Sequence, residues 1–143
     1  RLDTAVKFAS LIEREAGGET DKPIIAGIIW NRLNKGMKLE IDATVQYAFT
    51  TQKLEAINFQ IPDDFNFWQA PSGEDIHLTV SPFNTYQNKG LPPGPICSPS
   101  MASIWAVAEP AETTAFYYLH SADKQIHTAV TYKEHLKNIQ KYL

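Results

Sequence analysis

The sequence predicts an α+β domain that is mainly helical and carries one small antiparallel hairpin. Three observations predict it. Two early stretches space apolar residues helically and end at glycine, and a central segment dense in proline, glycine and asparagine excludes regular structure. Two short runs rich in aromatic and β-branched residues lie close together near the end. With 143 residues, 43% apolar and 20% charged, the chain is expected to form one domain with its own core over residues 1–143.

The first helix should start at Asp3 or Thr4 as N-cap and stop at Gly17-Gly18, where glycine can take the left-handed C-cap conformation. Wound at about 100° per residue, it gathers Ala5, Phe8, Ala9, Leu11, Ile12 and Ala16 on one side, with Lys7, Ser10 and Arg14 opposite. Glu15 falls between Phe8 and Leu11, where a helix would normally place an apolar residue. Glu13 lies at the far border, where its side chain can bend into water. A carboxylate facing apolar groups is costly when charged, so the pKa of Glu15 should rise, as a general acid working near neutral pH requires. The alternative is an amphipathic helix whose last turn simply emerges from the core.

A second helix should begin at Asp21, tolerate Pro23 in its first turn and stop at Gly36. Ile24, Ile25, Ile28, Ile29, Trp30 and Leu33 leave it little polar face, which marks a central, buried helix. Asn31 shares the side of Ile24 and Ile28, so its amide needs buried partners: it either ties loops together or points into a site. After Met37, Leu39 and Ile41, Asp42 reads as the N-cap of a short helix carrying Val45, Tyr47 and Ala48.

Residues 50–80 read as a long excursion, with Pro62, Asn66, Pro71 and Gly73 interrupting Phe59, Phe65, Phe67 and Trp68. Those rings either stack on the sugar rings of a ligand or seal a satellite core. In SPFNTYQNKGLPPGPICSPS, Pro92, Pro93, Pro95 and Pro99 stiffen a loop that could present Asn84, Thr85 and Tyr86 as fixed donors and acceptors, and any X-Pro bond in it is a candidate for cis. Ser98 and Pro99 read as N-cap and N1 of a third helix, to Ala108. Ala115–His120 and Ile126–Val130 form the hairpin, with Ser121–Gln125 as its turn. Thr131 and Glu134 then make a capping box for a docking helix with Tyr132, Leu136, Ile139 and Leu143 as its apolar stripe.

Composition excludes several classes. A net charge of -3 and no Lys/Arg cluster argue against a nucleic-acid binder. The single Cys97 excludes an internal disulfide, and His120, His127 and His135 lack metal-site spacing, so neither a metal nor a cofactor is expected. No run of about 18 apolar residues is present, so the segment reads as soluble. It starts at Arg1 without methionine, which suggests a domain cut from a longer protein.

With these residues in view, the chain resembles the endolytic murein transglycosylase family of YceG-like proteins, in its catalytic domain. ASLIEREAG is similar to the family's catalytic helix and IIWNRLNKGMKLEIDATVQYA to its second block. SPFNTYQNKGLPPGPICSPSMASIWAVAEPA is similar to its long loop and helix, and FYYLHSADKQIHTAVTYKEH to its closing hairpin. Departures are residues 50–80, a divergent insertion or loop; Ser100, where a glycine is usual; and ADKQ in place of a glycine-rich hairpin turn. The resemblance implies a lysozyme-like fold and cleavage of the β-1,4 bond between N-acetylmuramic acid and N-acetylglucosamine of peptidoglycan, without water, to leave 1,6-anhydro ends. It carries the catalytic role to Glu15, the second glutamate of the E-x-E pair, as acid and then base. It further implies a parent anchored by one N-terminal transmembrane helix, lying outside the cytoplasmic membrane beside cell-wall synthesis enzymes.

Asn31, Gln46, Asn84, Thr85, Tyr86 and His127 are the candidates for binding the sugars and their acetamido groups. Two rivals remain: a hydrolytic muramidase in which Asp42 or Glu40 positions water, and a non-catalytic peptidoglycan-binding module.

Overall fold

A glycine or a side-chain cap sets four helix limits, at Gly36, Ser72, Ser100 and Thr131, in the computed structural model, which describes residues 1–143. The chain folds as α1 (Leu2–Glu15), α2 (Lys22–Lys35), α3 (Asp42–Ala56), α4 (Gly73–Leu78), α5 (Met101–Ala108), β1 (Tyr117–His120), β2 (Ile126–Ala129) and α6 (Tyr132–Tyr142). One 3-10 turn, Glu19–Asp21, leads from α1 into α2. The architecture is thus α+β and mainly helical, with β1 and β2 paired antiparallel from Tyr117 opposite Ala129 to His120 opposite Ile126.

The core lies where α1 and α2 meet α5. Phe8, Leu11 and Ile12 of α1, Ile25, Ala26 and Ile29 of α2 and Ala106 of α5 are buried there, with Leu39, Ile41 and Ile96 from the connecting segments. Burying each large aliphatic or aromatic side chain contributes on the order of 1.5–3 kcal/mol, so this cluster fixes the end of α1. Phe8 meets Trp30 edge-on at 5.0 Å. Gly27 lets the segment after α5 lie against α2, since a Cβ at this position would come 2.3 Å from the Ala111 carbonyl oxygen.

Several boundaries differ from the sequence-based expectation. Arg1, not Asp3 or Thr4, is the N-cap of α1; Asp3 instead lies in the first turn and pairs with Lys7 at 2.8 Å. Glu15 ends α1 through an extended Ala16, and left-handed glycine appears at Gly36 and Gly90 rather than at Gly17 or Gly18. Gly17 serves close approach instead, because a Cβ there would meet Asp21 and His120 at 3.1 and 3.2 Å. Ser10, expected on the polar side of α1, is fully buried beneath the proline-rich loop, where its hydroxyl accepts a bond from the Ile96 N–H at 3.1 Å. The cap of α5 is Ser100, not Ser98, and every X-Pro bond is trans.

Residues 50–80 hold more regular structure than expected. α3 runs on to Ala56, and Ser72 with Asp75 forms a capping box for α4. Phe67 packs against Tyr47 and Trp68, while Phe59 stays exposed. At the far end, the Thr131–Glu134 capping box is present, but Tyr132, Leu136 and Leu143 of the expected docking stripe are exposed. α6 docks instead by ring stacking, His135 on Tyr117 and Tyr142 on His127, with Ile139 the one partly buried aliphatic of the stripe.

Candidate active site

Glu15 leaves the last turn of α1 into a cavity of about 300 Å³. Its other walls come from five parts of the chain: Arg32 of α2, Leu39, Glu40 and Asp42 at the start of α3, Tyr86, the tyrosines of β1, and Tyr132 with His135 of α6. The helix end fixes the backbone of Glu15 while the hairpin closes over its side chain. Tyr118 of β1 donates its phenol hydrogen to Glu15 Oε2. Burial pushes the Glu15 carboxyl above its usual range; the Tyr118 bond opposes this in part, the Asp42 charge adds to it, and His120 and Arg14 oppose it more weakly. Tyr118 itself is held well above the ordinary phenol range, first by burial and then by Glu15, so it remains a donor.

Glu13, two residues earlier, has the opposite surroundings. Its Oε2 accepts from the Ser100 N–H at 3.0 Å and from the hydroxyls of Ser100 and Ser103 at 2.7 and 2.5 Å, and Lys22 Nζ lies 3.5 Å away. The serine bonds hold its pKa down to about 2. It is a clamp between α1, α2 and α5 whose ionised form is strongly favoured. The expectation that it bends into water is therefore corrected: a polar pocket built by the start of α5 takes it up.

Asp42 is the first residue of α3 and makes no capping bond, contrary to its expected role. Its Oδ1 accepts from the Tyr86 hydroxyl at 2.5 Å, which places a second carboxylate on the same cavity as Glu15. Burial first, and the bond to Asp42 second, raise the Tyr86 pKa. Glu40 adopts a left-handed backbone with φ 54°, a strained choice for a side-chain-bearing residue, and its carboxylate lies 3.3 Å from Arg32 Nη1. Arg32 in turn donates to the carbonyls of Phe116, Lys38 and Leu39, so one buried guanidinium joins three walls of the cavity.

Of the sugar-binding candidates, Tyr86 alone lines this cavity beside Glu15. Asn31 donates to the carbonyls of Thr113 and Ala115 at 2.7 and 3.0 Å, which is the loop-tying alternative. Asn84 is fully buried, donates to Ile76 and Thr79, and accepts from the Tyr86 N–H, so it shapes the loop that carries Tyr86. Thr85 accepts from the Ile41 N–H and bonds the Thr44 hydroxyl, which fixes the start of α3. Gln46, one turn after Asp42, and His127, stacked on Tyr142 and bonded to Ser121, lie outside the cavity lining.

Tyr118, Arg32 and the Tyr117–His135 stack were not singled out by sequence reasoning. Their signal is long-range: Glu15 and Tyr118 are 103 positions apart. The strand alternation that puts Tyr118 and His120 on one face of the hairpin was legible, but not what that face would meet.

Comparison with known proteins bears on this arrangement. A family model described as the YceG-like family matches residues 1–141. The chain belongs to that family. It is 36% identical over 136 residues to an endolytic murein transglycosylase of Bacillus subtilis (strain 168), covering 95% of this chain and 33% of that protein. A second endolytic murein transglycosylase, from Streptococcus pneumoniae serotype 2, is 29% identical over 143 residues, or 99% of this chain and 24% of the relative. A crystal structure of a yceG-like protein from Listeria monocytogenes superposes with a TM-score of 0.76 at 31% identity, over 95% of this chain and 38% of the other. The chain therefore spans about a quarter to two fifths of the length of the proteins it matches. No helix is long and apolar enough to cross a membrane.

Proposed function

We propose that residues 1–143 form one lysozyme-like catalytic domain of a longer lytic transglycosylase that cuts the MurNAc-β-1,4-GlcNAc bond of peptidoglycan without water. The observation that carries this reading is a partly buried glutamate, raised in pKa, at the floor of a cleft in a chain related to endolytic murein transglycosylases. A single carboxyl must serve twice. Protonated Glu15 gives its proton to the leaving glycosidic oxygen as positive charge develops at the anomeric carbon. Ionised, it then takes the proton of the muramyl C6 hydroxyl, which attacks C1 to close the 1,6-anhydro ring.

The surroundings suit both halves of that cycle. Burial favours the protonated form of Glu15 before cleavage. Tyr118 then stabilises the carboxylate formed by cleavage and keeps it oriented. Asp42 supplies a fixed negative charge facing the oxocarbenium-like transition state, and Tyr86 holds it in place. A parent anchored in the cytoplasmic membrane, with this domain on its outer side, belongs to the same proposal.

Asp42 on the shared cavity also supports a second reading, a hydrolytic muramidase in which it or Glu40 positions water. Purified peptidoglycan digested with the chain and with its Glu15→Gln variant, and analysed by mass spectrometry, decides between them. Anhydro ends from the unaltered chain alone are expected. Reducing ends would mean that water attacks, and anhydro ends from both proteins would remove Glu15 from the chemistry.

A further inference from the structure

The catalytic cavity does not end at Glu15. A second cavity of about 530 Å³ continues it, sharing Glu40, Tyr86, Tyr117 and Tyr132. Its outer wall is made by Lys38 and Lys89, which are joined as an isolated antiparallel bridge. Residues opposed in such a bridge project to the same face, and like charges in that position repel. Neither lysine forms an ion pair, although the chain as a whole is acidic, with a net charge of -3. The one carboxylate on the same wall, Glu40, is already matched by buried Arg32. Two adjacent positive charges therefore face the cleft without a protein partner.

We infer that Lys38 and Lys89 form an anion subsite that binds the free carboxylates of the peptide stem on a muramyl residue seated next to the scissile bond. This rests on the proposed activity, since only then is the cleft a glycan site. In a stem-bearing strand the amino sugars are N-acetylated and the lactyl carboxyl of each muramyl residue is tied up in the amide to its stem, so the negative charges within reach of this wall belong to the stems. The tyrosines shared by the two cavities offer ring faces to the sugars, and the lysines stand beyond them, where the substituent of the neighbouring residue extends. The pair thus distinguishes strands whose stems carry free carboxylates from strands whose stem carboxylates are blocked. It acts on binding, because it lies away from the reacting atoms.

The test is binding of muroglycan oligosaccharides by calorimetry, in a Glu15→Gln background that prevents turnover. Three forms are compared: stems intact, stems with amidated carboxylates, and an oligosaccharide of N-acetylglucosamine alone, which carries no carboxylate. Intact stems should bind best, and Lys38→Ala with Lys89→Ala should weaken that binding roughly fivefold, the scale of two solvent-exposed ion pairs, while leaving the N-acetylglucosamine oligosaccharide unchanged. Lys38→Glu with Lys89→Glu should invert the preference, and salt should erase it. Equal affinity of the unaltered pair for intact and amidated stems, or an equal loss on all three forms in the alanine variant, would overturn the subsite. Failure of the proposed activity shows separately, as an absence of anhydro ends in the digest with Glu15 present, and leaves this binding comparison readable.

Discussion

Two glutamates separated by one residue on the last turns of α1 divide the molecule into two regions of opposite electrostatics. Around Glu13, the start of α5 and the start of α2 supply two hydroxyls, a backbone N–H and a lysine, so charge is welcome and the ionised form is strongly favoured. Around Glu15, apolar and aromatic walls supply one phenol and, across the cavity, another carboxylate, so charge is resisted. The helix is common to both. The difference teaches that the partner elements, not the local sequence, decide which glutamate is held ionised and which resists charge.

The largest expected effect breaks the comparison on the active side. Glu15→Gln keeps the shape and the Tyr118 bond but has no proton to give, so kcat should fall roughly a thousandfold, within the range for loss of a general acid. The fold should be unaltered by circular dichroism. On the other side, Glu13→Gln should cost about 2 kcal/mol of stability, the scale of losing charge-assisted hydrogen bonds. Its loss should depend on pH with a definite sign. The folded-state pKa is about 2 against an ordinary 4.5, so the stabilisation is complete above the ordinary value and disappears as pH falls through the folded one. Denaturant melts at pH 7 and pH 3 should show the gap between the two proteins narrowing. A constant gap would mean that packing rather than charge holds this clamp.

Tyr118→Phe sharpens the contrast from within the cleft. Removing the one donor to Glu15 makes the ionised form still less favourable, so kcat should fall about tenfold, the worth of one hydrogen bond to a charged group. The limb of the pH–rate profile governed by Glu15 should move to higher pH. An unchanged profile with a lower rate would assign Tyr118 to substrate contact instead.

Much of this contrast was legible before the fold was known, and the rest was not for identifiable reasons. The 3.6-residue period placed Glu15 among Phe8 and Leu11, and glycine and capping chemistry marked Gly36 and the Thr131–Glu134 box. What failed was local chemistry overruled from a distance. Asp42 was a natural cap by sequence, but Tyr86, 44 positions away, claims its carboxylate. Ser98-Pro99 looked like the start of a helix, yet Ser100 holds that position because its hydroxyl also reaches Glu13. The clamp on Glu13 thus includes a side-chain contact that a glycine at position 100 could not make. Asn31 was left with two roles, and the two carbonyls it reaches lie more than 80 positions further on. Each of these contacts joins elements distant in sequence, where periodicity carries no information.

The smallest expected effect is also the one that tests the comparison in mirror image. A carboxyl whose folded-state pKa is raised binds its proton more tightly folded than unfolded, so the native state loses stability as pH rises from the ordinary value of 4.5 through the folded one. Above that window the cost of keeping Glu15 ionised in its cavity is fully present. Glu15→Gln removes it, because a neutral amide still accepts from Tyr118 and does not repel Asp42. The inactive variant should therefore be more stable than the unaltered chain at neutral pH by about 1 kcal/mol, the usual scale for relieving a strained functional site. The advantage should vanish by pH 4, where both side chains are neutral. Glu13→Gln runs the other way, destabilising at neutral pH and converging at low pH. If both substitutions destabilised at pH 7, the two regions would differ only in partners and not in their tolerance of charge, and Glu15 would lose the physical basis for holding a proton at the pH where the cleft must work.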